Sequence, residues 1–153
     1  MTGSVIIQKV VSGGQTGVDR AGLDVALELG IPCGGWCPKG RRAVDGAIPA
    51  KYPLMETDSQ DYAERTRLNV LDSDGTLILN VGELGGGTEY TVEVAKQNDK
   101  PFLVIPLDKS PGPQRVIDWI ELNNIHVLNV AGPREDKYLE IHDQAVNFLR
   151  EIF

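Results

Sequence analysis

Apolar positions recur along the chain with two different periods, and the switching between them predicts a regular succession of strands and helices. Val5-Ile6-Ile7 and Val10-Val11 form an apolar run that reads as a first strand over residues 5–11. Val18, Leu23, Ala26, Leu27 and Leu29 then follow at near-helical spacing, predicting a helix over 18–29. Asp19 stands in its first turn, and Gly30-Ile31-Pro32 supplies a C-cap glycine and a breaker. Cys33 to Cys37 is short and apolar enough for a second strand. From Pro38 to about Met55 neither period holds, and a long irregular loop is expected. Such loops inside compact domains are usually functional. Trp36, Ile48, Tyr52, Leu54 and Met55 could anchor this one.

A polar helix is expected from Ser59 to about Leu71, with Asp58 or Ser59 as N-cap. Tyr62, Arg65, Thr66 and Asn69 share one of its faces, which looks either into a site or into solvent. After the turn Asp72-Ser73-Asp74-Gly75, the near-continuous apolar run from Thr76 to Val81 suits a strand buried on both faces. Gly82 to Thr88 is a second glycine cluster, and Glu89 to Asn98 a helix. Phe102 to Pro106 is a strand, Asp108 to Pro113 a turn and Gln114 to Leu122 a helix. Ile125 to Val130 is the last strand. The final helix runs from about Lys137 to Ile152, with Tyr138, Ile141, Ala145, Phe148 and Ile152 at core spacing. Alternation of five strands with helices predicts an α/β fold, a mostly parallel five-stranded sheet in a three-layer α/β/α sandwich. No linker, repeat or low-complexity tract divides residues 1–153, so a single domain is expected.

Composition narrows the function classes. With 22 acidic and 15 basic residues the net charge is −7, which argues against a general nucleic-acid or anionic-membrane surface but leaves room for a local basic pocket. No apolar run reaches the roughly 20 residues of a membrane span, and the N-terminus lacks the pattern of a secretory signal, so a cytoplasmic protein is expected. The two cysteines, Cys33 and Cys37, have no second pair to complete a zinc site. They read as reduced thiols, or one of them as a ligand to a metal that a cofactor brings. No metal site of the chain's own is expected.

The chemistry concentrates in two glycine-rich turns, each following a strand and opening a helix: Ser12-Gly13-Gly14-Gln15-Thr16-Gly17, and Gly85-Gly86-Gly87-Thr88 within the second cluster. Glycine admits close backbone approach, and a helix N-terminus offers free N–H groups to an anion. Neither turn is a triphosphate P-loop, and the first is not a G-x-G-x-x-G fingerprint. If the first and third strands are neighbours, both turns meet at one crevice. Thr16, Thr88 and Thr91 could each donate a hydroxyl to phosphate or bond their own backbone. Asp19 is a candidate ligand contact, or only complements the helix dipole. Arg20, a cation at a helix start, calls for a ligand or an internal carboxylate. Lys39, Arg41 and Arg42 could close over a phosphate or be solvated, and Trp36 could stack on a heterocycle or pack the loop. Glu89 and Glu93 share a helix face, where a carboxylate could hold a ribose or act as acid or base. His126 and His142 form no catalytic pairing by order or position.

The runs SGGQTGVDRAGLDVA, GWCPKGRRAVDGAIP and GGGTEYTVEVA, the last with DSDGTLI upstream, resemble the molybdenum-cofactor carrier family over nearly the whole chain. That family is a circularly permuted branch of the Rossmann-like SLOG superfamily, alongside the lonely-guy phosphoribohydrolases. The resemblance implies a ligand site built from both glycine turns and a homo-oligomer. The implied ligand is phosphorylated or nucleotide-like, by family name the molybdenum cofactor, a phosphorylated pterin carrying the metal. Gly13, Gly14, Gln15, Thr16 and Gly17 match the first family turn; Gly85, Gly86, Gly87 and Thr88 match the second. The lonely-guy enzymes carry P-G-G-x-G-T-x-x-E with a catalytic glutamate. Here Thr91 stands at that position, Glu93 comes two residues late and the leading proline is missing. The expected function is therefore a carrier or storage protein, with no catalytic residue assigned. The alternatives are a nucleoside-monophosphate-processing enzyme using Glu89 or Glu93, and a nucleotide-sensing or single-strand DNA module.

Overall fold

The computed structural model of the chain describes residues 6–153, so Val5 of the expected first strand lies outside it. Among the described residues, nine strands and five helices follow in order. They are β1 (Lys9–Val11), α1 (Val18–Leu29), β2 (Cys33–Gly34), β3 (Trp36–Cys37), β4 (Arg42–Ala43), β5 (Gly46–Ala47), β6 (Met55–Glu56), α2 (Tyr62–Leu71), β7 (Gly75–Asn80), α3 (Gly86–Gln97), β8 (Phe102–Pro106), α4 (Gln114–Leu122), β9 (Val127–Ala131) and α5 (Ile141–Arg150). A short 3₁₀ turn, Leu107–Lys109, links β8 to α4.

The fold is a Rossmann-like α/β/α arrangement around a five-stranded parallel sheet of order β2-β1-β9-β7-β8. β7 is buried along its whole length, as its unbroken apolar run requires. The main core joins β1, β7 and β9 to α1, α4 and α5 through Val10, Leu77, Leu128, Ile141 and Leu149. α2 packs against α3 around Val70, Val94 and Ala95.

Four expectations need correction. The first and third sheet strands, β1 and β7, are not neighbours: β9 lies between them and pairs in parallel with both. The two glycine turns therefore flank the end of β9. Cys33–Cys37 is two strands, not one. Gly35, at φ 122°, turns the chain between them, and β3 pairs with β6 away from the main sheet. The segment 38–55 is not irregular throughout, since β4 and β5 make a small antiparallel hairpin. Helix starts also move. α2 begins at Tyr62 with Asp61 as N-cap. α5 begins at Ile141, because Glu140 is left-handed at φ 68° and the Glu135 carboxylate accepts the Glu140 and His142 amides at 2.7 and 2.9 Å.

Candidate functional site

A cavity of about 320 Å³ opens beyond the carboxyl end of β9. Its size falls in the range of small-molecule sites. Tyr62, Arg65 and Thr66 of α2 form one wall, and Gly85–Thr88 with Tyr90 and Thr91 form another. Asn129 to Pro133 supply the β9 end, Arg134 and Lys137 come from the β9–α5 loop, Ala63 and Asn69 add to the α2 wall, and Gly13, Gln15 and Asp19 complete the lining.

The amino end of α3 is the open anion position. Gly85 accepts the Thr88 and Glu89 amides at 3.2 and 3.3 Å, while the Gly86 and Gly87 amides meet no acceptor among the described residues. No side chain caps this helix. Lys137 Nζ stands 3.1 Å from where a Gly86 Cβ would lie, and it forms no ion pair among the described residues. A cation beside the positive end of a helix dipole is unfavourable unless an anion sits between them. Gly85 and Gly87 have ordinary φ and open space at their Cβ positions, so nothing within the described chain requires glycine there. Thr88 is buried, and Thr91 Oγ1 donates back to the Gly87 carbonyl at 2.8 Å.

The first turn is built differently. Several of its donors are spent within the fold, though the Gly13 and Gly17 amides meet no acceptor among the described residues: the Gly14 amide meets Ser12 Oγ at 3.4 Å, the Thr16 amide meets Gln15 Oε1 at 3.0 Å, and the Val18 amide meets the Pro133 carbonyl at 3.2 Å. Thr16 Oγ1 accepts the Glu135 amide, tying this turn to the β9–α5 loop. Gln15 Oε1 also accepts the Val44 amide, and Gln15 Nε2 is a buried side-chain donor without a partner among the described residues. What the turn brings to the cavity is Asp19. Burial pushes its carboxyl up to about 6, against the pull of Arg65, the Gln15 amide, Arg20 and the Gly132 amide. Its Oδ2 accepts from Arg65 Nη1 at 3.2 Å in a largely buried ion pair. Arg65 was legible as part of a polar face on α2. Lys137 is expected from the sequence as the first residue of the last helix but lies in the loop before α5, and no sequence signal singles out Arg134.

The remaining expected residues have other surroundings. Arg20 donates to both oxygens of Asp45 at 2.6 and 2.8 Å and to the Gly14 carbonyl, so an internal carboxylate is its partner. Arg41 is left-handed at φ 54° and gives its guanidinium to the carbonyls of Ile48, Pro49 and Tyr52. Trp36 donates its indole N–H to Asp72 at 2.8 Å, and Lys39 is exposed. None of these, nor Gly14, Thr16, Gly17 and Glu89, is among the lining residues. Glu89 and Glu93 are exposed. Burial raises both cysteine thiols, and neither lines the cavity. Among the described residues, no three His, Cys, Asp or Glu side chains group to hold a metal ion, and no helix is long and apolar enough to cross a membrane.

No protein with a curated description matches the chain. A solved structure does: that of "Putative molybdenum carrier protein" from Syntrophus aciditrophicus SB, determined at 1.45 Å. It is similar at 46% sequence identity and a TM-score of 0.94, over 96% of this chain and 95% of that one. The family model of the circularly permutated YpsA SLOG family matches residues 10–153, nearly the whole sequence. The chain therefore belongs to the circularly permutated YpsA SLOG family.

Proposed function

We propose that this chain is a single-domain binding protein for a phosphorylated heterocycle, and that its cargo is the molybdenum cofactor, held for storage or transfer. One observation carries the reading: the Gly86 and Gly87 amides and the Lys137 ammonium converge on the same end of α3, and no acceptor or carboxylate among the described residues answers them. A phosphate there would accept both amides and face the ammonium. The glycines at 85 and 87 would let it lie against the backbone. Thr88 could add a hydroxyl, and Tyr62 and Tyr90 offer aromatic surface for a flat ring system.

The residues fit such a cargo. A phosphorylated pterin brings its own metal and needs no ligand cluster from the protein, and the cavity volume suits a nucleotide-sized molecule. Support for holding rather than transforming the ligand comes from the carboxylates. Glu89 and Glu93 are exposed and outside the lining, and the lining's carboxylate, Asp19, is engaged by Arg65.

The test is to purify the protein from cells that make the cofactor and measure bound molybdenum and released pterin fluorescence. Nucleoside monophosphates are titrated in parallel. Stoichiometric molybdenum and pterin are expected, both lost in Gly87→Ala. Nucleotide binding with neither pterin nor molybdenum would overturn the cofactor assignment.

A further inference from the structure

The Asp19–Arg65 pair has a feature that phosphate binding at α3 does not use. Both side chains are largely withdrawn from water, at 9% and 11% exposure, yet both line the cavity. Four contacts hold the guanidinium. Nε donates to the Tyr62 carbonyl and to Thr66 Oγ1 at 3.2 Å each, Nη1 donates to Asp19, and Cζ lies 5.3 Å from the Tyr62 ring centroid. Nη2 has no partner among the described residues. The guanidinium is thus oriented, charged and open on one side.

We infer that the phosphate seated on the α3 amides also meets Arg65 Nη2 across the same cavity, and that this docking is coupled to uptake of a proton by Asp19. The inference rests on the phosphorylated-ligand reading above. An incoming anion and the Asp19 carboxylate compete for one buried positive charge. Two negative charges facing one guanidinium out of water cannot both stay ionised without a large penalty, and the weaker acid takes the proton.

The groups facing Asp19 are Arg65 from α2, Arg20 from its own helix, and the Gln15 and Gly132 amides from the first turn and the β9 end. Arg134 and Lys137 line the same cavity from the β9–α5 loop, and Asp19 is the one carboxylate among the lining residues. Burial already brings this carboxyl to about 6, so a modest rise carries its midpoint into the neutral range.

The test follows the Asp19 side-chain carboxyl by ¹³C NMR through a pH titration, with and without AMP as the probe. The signal is assigned with Asp19→Asn. AMP is expected to raise the Asp19 midpoint by more than one pH unit. Relative to Asp19→Asn, AMP affinity is expected to fall about tenfold per pH unit between the free and the AMP-bound midpoints and to level off above the latter. Arg65→Gln is expected to abolish the midpoint shift. If the Gly86 and Gly87 amide signals respond to AMP while the Asp19 midpoint stays fixed, the coupling is overturned and phosphate binding at α3 stands. If neither responds, the nucleotide-type reading falls and the coupling with it. A shift that persists in Arg65→Gln overturns the place given to Arg65.

Discussion

Gly13 lies flat against the Arg65 guanidinium: a Cβ at position 13 would overlap Nη1 and stand 2.7 Å from Cζ. This glycine in the first turn thus makes room for an arginine from α2. Gly13→Ala is expected to push Arg65 out of its place, at a cost of about 1–3 kcal/mol typical of overpacking. AMP affinity should fall as well. Urea unfolding and a binding titration on the same preparation check this. A variant of unchanged stability with Arg65 still paired to Asp19 would refute the packing argument.

The α3 glycines separate binding from stability. Gly87 is helical with open space where its Cβ would be, so Gly87→Ala should leave stability unchanged or raise it by up to about 1 kcal/mol. It should nonetheless weaken AMP binding at least tenfold by standing where the phosphate approaches the backbone. Gly86 has φ 52°, so Gly86→Ala carries an added conformational cost of about 1–2 kcal/mol. Thermal unfolding without ligand should rank the stabilities Gly87→Ala, wild type, Gly86→Ala, while binding is lost in both variants. Full affinity in Gly87→Ala would place the phosphate elsewhere.

These two turns also show how far the sequence could be read. The apolar runs located all five sheet strands, because a run such as Leu77-Ile78-Leu79 depends only on burial on both faces. Strand order was not legible. That β9 slips between β1 and β7 is decided by packing across 50 residues and more, and no local period reports it. Arg20 announced itself as a cation in need of a partner, but Asp45 reaches it only through the β4–β5 hairpin. The Tyr62–Arg65–Thr66–Asn69 face was visible on α2, while its opening onto a cavity depends on where α3 and β9 lie. Lys39, Arg41 and Arg42 stood out as a charge cluster. The chain's turn at Arg41 spends that guanidinium on neighbouring carbonyls instead.

His142 joins α5 to α1, with Nε2 facing Asp24 Oδ2 at 2.7 Å and Nδ1 facing Asp143 Oδ1 at 3.1 Å. Burial opposes the charged ring, but the hydrogen bonds to Asp24 and Asp143 outweigh it, and the pKa lies above the usual 6.5. The native state therefore holds this proton more tightly than the unfolded chain. Its stabilising contribution is full below about pH 6.5 and is lost as pH rises through the native value. His142→Gln should cost most in mild acid, about 1 kcal/mol for a partly exposed pair, and progressively less at alkaline pH. Urea midpoints of both proteins from about pH 5 to 9 check this. A difference that does not change with pH would assign the contact to packing alone.

Three basic residues should behave in three ways. Arg41 gives its guanidinium to the Ile48, Pro49 and Tyr52 carbonyls at 3.0, 2.8 and 2.8 Å, holding the segment around β4 and β5 on the core through Ile48 and Tyr52. Arg41→Ala should lower stability by about 2–3 kcal/mol, and Arg41→Lys should rescue little, since one ammonium cannot reproduce that fork. Lys137 forms no ion pair with a carboxylate among the described residues and stands at the open end of α3. Lys137→Ala should therefore leave the unfolding midpoint unchanged and weaken AMP binding by about three- to tenfold, a deficit that shrinks at high salt because the side chain is exposed. Lys39 is exposed and absent from the cavity lining, so Lys39→Ala should alter neither quantity. Measuring stability and AMP affinity for all of these variants in one buffer separates the roles. An affinity loss in Lys39→Ala as large as that in Lys137→Ala would move the anion from α3 to the loop after β3.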